Sequence, residues 1–367
     1  MLSRCSGVLG IKHLVANLSV ARRTFVTTSV LHFQEKDELH KGDRYARIPD
    51  RRVLELEGPD TSKFLQGLIT NHMPLISAGG DGFFTAFLTP QGRMLFDAFI
   101  YPVNVGVNFA HPKFVMDIPA DATPSVLKHL KRYLLRSKVK VRDATDEYSL
   151  WNIWGHSSMP PATSLELVKK DKRISDIGSH DPRLHGLGYR AVLRHDEGNF
   201  QELESSEYTI RRILHGIPES TGDLWPEQSL PLESNFDYMN GVDFRKGCYI
   251  GQELTIRTYH TGVVRKRIVP VQIYKTGEKV PTTQTVNREM KWSFEPQMEI
   301  KLADGSSKRS IGKLCSGIHN VGLALMRLEH VQKCAAGEDI TFTVPGADGI
   351  HVRPFLPDWW TVEEDKA

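Results

Sequence analysis

The first 34 residues contain no Asp or Glu, and no part of the chain approaches the roughly 18 consecutive apolar residues that a membrane-spanning helix requires. The missing apolar run excludes a chain held in a membrane by such a helix. Cysteine is scarce, with Cys5, Cys248, Cys315 and Cys334 the only four in 367 residues. No C-x-x-C pair exists, so neither a self-contained zinc site nor a complete iron–sulfur nest has local support. A P-loop and a strand-linked G-x-G-x-x-G are also missing, which leaves nucleoside triphosphate and dinucleotide chemistry without a motif. No internal repeat is present. With 40% hydrophobic and 25% charged residues, the composition is that of an ordinary globular chain of two or three domains.

The acid-free segment carries Arg4, Lys12, Arg22 and Arg23 among Ser, Thr, Leu and Val. This is the composition of a mitochondrial transit peptide over residues 1–34, with cleavage expected near Val26. Setting its four cations aside leaves 43 basic residues against 44 acidic ones, so the formal +3 of the chain resides mostly there. A nucleic-acid partner is not expected of the near-neutral remainder. A matrix protein also has no need of a structural disulfide.

Local patterns alternate between strand and helix. Leu54 and Leu56 interleave with Glu55 and Glu57 as a strand. A helix capped by Asp60 or Thr61 follows, with Phe64, Leu65, Leu68 and Ile69 on one face. The glycines at 79, 80 and 82 turn the chain into strands around 83–88 and 94–101. A helix is expected over 125–136, strands over 138–141 and 148–154, and a polar connector from Pro160-Pro161. A second helix spans about 206–215, ended by Gly216 and Pro218. After Val263 the pattern is strand-like through Val344, a separate C-terminal β domain with a polar loop over 281–294.

Residues 243–267, D-F-R-K-G-C-Y-I-G-Q-E-L-T-I-R-T-Y-H-T-G-V-V-R-K-R, carry the least ordinary chemistry. Arg245 and Lys246 precede Cys248, and Gly247 and Gly251 permit a tight excursion of the backbone. Cations beside a thiol favour the thiolate, which is the form that binds metals; the alternative is a buried cysteine acting as a small hydrophobe. Six cations against Asp243 and Glu253 mark either a site for an anionic ligand or partner, or a solvated basic strand. Upstream, L-P-L-E-S-N-F-D at 230–237 interleaves carboxylates and an amide with apolar residues. Glu233 and Asn235 there suit the donor edge of a heterocycle, or else cap neighbouring backbone.

K-G-C-Y-I-G-Q-E at 246–253 resembles the signature of the folate-binding proteins related to the glycine-cleavage T-protein, in the branch devoted to iron–sulfur cluster assembly. Asp181-Pro182-Arg183, Leu187-Gly188-Tyr189-Arg190, Gly216-Ile217-Pro218-Glu219, Met239-Asn240-Gly241-Val242, Arg265-Lys266-Arg267 and Gly322-Leu323-Ala324-Leu325 follow in the order that family has. The resemblance runs from about 40 to 360. It implies an α+β fold, a T-protein-like ring of three domains around a central folate-sized cavity. The parts would be a discontinuous folate-binding-like domain of 35–98 plus 205–262, an α+β domain of 99–204, and a C-terminal β-barrel of 263–367. By position Lys246 becomes a contact to tetrahydrofolate or a cation that tunes the thiol, and Glu233 a residue at the pterin edge, with Asn235 a further folate-binding candidate. Cys248 becomes the metal ligand, one of the ligands of a [2Fe–2S] cluster shared with A-type iron–sulfur scaffold proteins in the mitochondrial matrix, late in [4Fe–4S] maturation. The chain departs from the aminomethyltransferases where their acidic pair corresponds to Phe96-Asp97. Asp97 alone can orient or protonate a folate nitrogen, or is a strand residue satisfied by an Arg or backbone partner. The alternative function is a tetrahydrofolate-dependent aminomethyltransferase or other one-carbon enzyme.

Overall fold

The computed structural model describes residues 44–103, 111–154, 177–194, 202–307 and 309–360. The transit-peptide segment and the connector at Pro160-Pro161 lie outside them.

Alternation with period two builds the first sheet, which is antiparallel throughout in the order β3-β4-β5-β2-β6. Its strands are β2 (Arg51–Glu57), β3 (Phe83–Leu88), β4 (Met94–Pro102), β5 (Lys113–Pro119) and β6 (Lys140–Asp143). Leu54, Leu56, Phe87, Phe96 and Ile100 face one way and pack with Phe64 and Leu65 of α1 (Thr61–Gln66) and Val126 and Leu130 of α2 (Thr123–Leu134). Phe84, Ala86, Leu88, Phe99 and Tyr101 face the other way. With both faces covered, β3 is buried at all six positions.

That second face meets another sheet, of order β10-β1-β7-β9-β8. It comprises β1 (Arg44–Arg47), β7 (Tyr148–Trp154), β8 (Gly178–His180), β9 (Tyr189–Arg194) and β10 (Glu202–Leu203). Ala46, Leu150, Trp154 and Val192 enter the shared core together with Tyr208 and Ile213 of α3 (Ser205–Leu214). Ile268, Cys315, Val321 and Leu323 reach the same core from the C-terminal barrel. A short α4 (Ser220–Asp223) follows α3.

The barrel is closed, in the order β11-β14-β13-β12-β15-β16. β11 (Lys266–Lys275) is long enough to pair with both β14 (Val321–Arg327) and β16 (Ile350–Pro354), and this closes the ring. β12 (Glu299–Leu302), β13 (Gly312–Ile318) and β15 (Phe342–Thr343) complete it. Val269, Val271, Leu314, Met326 and Val352 fill the interior, and Val331 and Cys334 of α6 (Leu328–Ala335) pack on it.

The α+β class and the C-terminal barrel are as the sequence implies, but two boundaries move. Residue 98 lies inside β4, and β5, α2 and β6, assigned by sequence to the middle domain, belong to the first sheet. Conversely, β1 pairs with β7 rather than joining the first domain. Periodicity identifies a strand and its buried face; the partner is fixed by the long-range register, here Phe99 against Asp117 and Ala46 against Asn152. At the first helix, Asp60 makes no side-chain cap; its carboxylate accepts the Lys138 amide instead, and the helix ends at Gln66.

Candidate functional site

Cys248 sits on a loop fastened at both ends. Upstream, Asp243 N donates to Thr70 O at 3.0 Å, and Thr70 Oγ1 donates to Gly241 O at 2.6 Å. Lys246 turns inward, and its Nζ donates to the carbonyl oxygens of Gln66, Ile69 and Asn71 at 2.8, 2.6 and 2.8 Å. Burial pushes the Lys246 pKa down to about 7 against the pull of Asp243. Three carbonyls still select the ammonium, because a neutral amine has two N–H donors and would turn a lone pair on the third oxygen. Downstream, Tyr249 is buried in the shared core, its N–H donating to Gln252 Oε1, and Ile250 N donates to Gly67 O at 3.1 Å.

Gly251 then opens α5 (Gln252–Thr261) at φ +79°, where a Cβ would run into the Thr89 carbonyl oxygen in the β3–β4 turn. Gly92 answers from that turn at φ +83°, with the Gly251 carbonyl oxygen 2.9 Å from where its own Cβ would be. Between the anchors Lys246 and Tyr249, Gly247 and Cys248 face solvent.

The other two described cysteines are unavailable. Cys315 and Cys334 are both buried, and burial, reinforced at Cys315 by Asp223, pushes their thiols up, away from the thiolate. Among the described residues no group of three or more His, Cys, Asp or Glu is placed to hold a metal ion. His260 is exposed beside Tyr259.

A cleft of about 390 Å³ opens alongside, lined by the 230–233 turn, the first two turns of α5, residues 263–266 and Arg327. Glu233 lines it; burial raises its pKa, opposed by Lys266 and Arg93. Asn235 does not reach it. That residue is fully buried at φ +63°, with Nδ2 on Ile268 O at 2.8 Å and Oδ1 accepting from Arg267 Nη1 at 3.5 Å. Of the six cations in 243–267, Arg267 also turns inward, bidentate to Asp237 at 2.8 and 2.7 Å.

Asp97 is sealed elsewhere, in a buried ionic network where the two sheets meet α3 and α4. Arg51 binds Asp97 at 2.7 Å and Asp117 at 2.5 Å. Arg190 takes the other Asp117 oxygen at 2.5 Å and Glu219 at 3.0 Å. Arg183 joins Asp181 and Glu219, each at 2.7 Å, and Tyr208 donates to Glu219 at 2.6 Å. Ser220 N donates to the remaining Asp97 oxygen at 3.1 Å. Burial, against Arg51, raises the Asp97 pKa, whereas Arg190, Arg183 and Arg51 overcome burial to hold Glu219 well below the usual range. Asp223 extends the network to the barrel by accepting from Arg212 at 2.7 Å and from Ser316 N at 2.9 Å.

Residues 265–362 match the family model described as the CAF17 C-terminal beta-barrel domain. A Mycosarcoma maydis protein named iron–sulfur cluster assembly factor IBA57 homolog, mitochondrial, is 37% identical over 357 residues, covering 86% of this chain and 85% of that one. The protein of the same name from Neosartorya fischeri is 39% identical over 355 residues, covering 87% and 76%. The chain belongs to the IBA57 family of mitochondrial iron–sulfur cluster assembly factors. In fold it is similar to the glycine cleavage system aminomethyltransferase T of Bartonella henselae, with a TM-score of 0.60 at 12% identity over 88% of this chain and 87% of that one.

Within this IBA57-family fold the residues carried over from the folate-binding relatives do not converge. Lys246, Asn235 and Asp97 are each engaged inside the protein, and Glu233 alone of the four lines the cleft. As a set they do not fit a tetrahydrofolate site. The Arg51, Asp117, Arg190 and Glu219 network was not assigned from sequence, although Arg183, Arg190 and Glu219 lie in motifs that carry the resemblance. An Arg in a motif does not reveal a partner 73 residues away, as for Arg190 and Asp117.

Proposed function

We propose that the protein acts late in [4Fe–4S] protein maturation in the mitochondrial matrix, with Cys248 supplying one ligand to a [2Fe–2S] cluster shared with an A-type scaffold protein. The observation that carries this reading is the exposed Cys248 thiol on a pinned loop, in a chain whose Cys315 and Cys334 are buried. One thiolate cannot hold a [2Fe–2S] unit, which takes four ligands, so the cluster is cargo that needs a second protein. Anaerobic reconstitution with the scaffold protein tests it by absorption and circular dichroism. Cys248→Ser is expected to lose the shared-cluster signal at an unchanged melting temperature, while Cys315→Ser and Cys334→Ser keep the signal. Loss in either of the latter two with Cys248→Ser unaffected would overturn the assignment.

The competing reading, a tetrahydrofolate-dependent aminomethyltransferase or other one-carbon enzyme, has Glu233 facing the cleft in its favour and the sealed Asp97 against it. Methylene-donor turnover by purified protein, abolished in Glu233→Gln, would move the assignment there.

A further inference from the structure

The cleft beside α5 has features that ligation through Cys248 leaves unused. Arg265, Lys266 and Arg327 line it together with one carboxylate, Glu233, on which Lys266 acts. None of these three cations, nor exposed Arg245 and Arg257, forms an ion pair among the described residues. Thr255, which lines the cleft, is 2% exposed, and its hydroxyl has no hydrogen-bond partner among the described residues. Thr258 and Thr261 on the same helix donate to the carbonyls of Leu254 and Arg257, at 2.8 and 2.9 Å. A buried hydroxyl without a partner costs free energy that a ligand can return.

At the edge, Tyr259 is 50% and Val263 78% exposed, large apolar side chains that a small molecule within the cleft would leave in water. Phe244, four residues before Cys248, stacks on Tyr259 at 3.7 Å between centroids, so the thiol loop and the far end of α5 form one continuous surface.

We propose that this cleft receives an acidic segment with an apolar side chain, from the protein that shares the cluster with Cys248. Its carboxylates face Arg265, Lys266 and Arg327, its apolar side chain enters beside Leu254, and a main-chain N–H meets the Thr255 hydroxyl. The inference rests on the assembly reading, and it separates docking, done by the cleft, from ligation, done by the thiol.

Titration calorimetry of the metal-free scaffold protein against wild type and variants tests it, beside the reconstituted-cluster spectrum. The Arg265→Glu/Arg327→Glu pair is expected to weaken binding by about tenfold or more and to reduce its dependence on salt. Val263→Asp, on the exposed edge, weakens it several-fold without moving the melting temperature. Thr255→Val does the same, because removing the unpartnered hydroxyl harms only the complex. Cys248→Ser binds the metal-free partner within about twofold of wild type and loses the cluster spectrum. If wild type forms the shared cluster but the charge-reversed pair binds equally well, docking lies elsewhere and this proposal fails alone. If wild type forms no shared cluster, the assembly reading fails. Binding of a reduced folate that is lost in the same variants, with partner affinity intact, would assign the cleft to a small ligand and overturn the proposal.

Discussion

Lys246 shows how far the chemistry of a side chain depends on where it points. In sequence it stands beside the thiol as a cation to tune it or to meet a ligand; in the fold its three donors close on Gln66, Ile69 and Asn71. Its contribution to Cys248 is mechanical, since it fixes the loop from which the thiol projects. Replacing it with Met leaves three carbonyls without a donor, so Lys246→Met is expected to lower unfolding stability by about 2–4 kcal/mol and to open residues 243–251 to proteolysis. Lys246→Arg does not restore it, because a planar guanidinium cannot direct three donors as an ammonium does. Urea midpoints and cleavage mapping check both, and a Lys246→Met protein of wild-type stability would show that the loop needs no staple.

At the scale of elements, the ionic network joins strands that alternation alone leaves unmatched. Arg51 and Arg190 grip the two oxygens of Asp117, and so tie β2 and β5 of the first sheet to β9 of the second. Removing one partner strands buried charge, so Arg190→Leu is expected to cost about 3–5 kcal/mol in urea denaturation. Asp97→Asn keeps its shape and an acceptor for Ser220 N and is expected to cost about 1–3 kcal/mol while cluster sharing persists. Loss of sharing in a stably folded Asp97→Asn protein would return a direct role to this carboxyl.

What was legible in sequence follows the same division. The strands around 83–88, 94–101 and 148–154 and the helix ending before Gly216 were readable because burial imposes a period on neighbouring residues. The prominence of Cys248 was readable because its glycines and cations are local. That Asp97 meets an Arg and Asn235 a backbone carbonyl matches the plainer alternative the sequence offers for each, but which partner each takes was not readable, because nothing within a few residues of either names one 46 or 33 positions away.

Across the whole molecule, one core draws side chains from both sheets, α3 and the barrel, and Asp223 carries the ionic network to Ser316 in β13. The described parts are therefore expected to unfold together. Acid is a direct test, because burial pushes His215 down to about 3 and His129 down to about 4. Both are neutral in the fold and take up a proton on unfolding below about pH 6.5, so the unfolded state binds more protons and stability falls as pH drops from there toward 4. Calorimetry between pH 7 and 4.5 should give one transition whose midpoint falls with pH, less steeply in His215→Leu. Two resolved transitions, or a midpoint that rises on acidification, would contradict this coupling.

The display of Cys248 is assembled from segments made far apart in time. The carbonyls that receive Lys246 belong to residues 66–71, and the turn that admits Gly251 to residues 89–92, whereas the lysine and the glycine come about 160 to 180 positions later. A chain emerging from synthesis or import completes the seat first and the occupant last. A misfolded copy carries the same cysteine but no fixed platform for it, so the geometry by which a partner meets the thiol doubles as a check that these distant segments have come together.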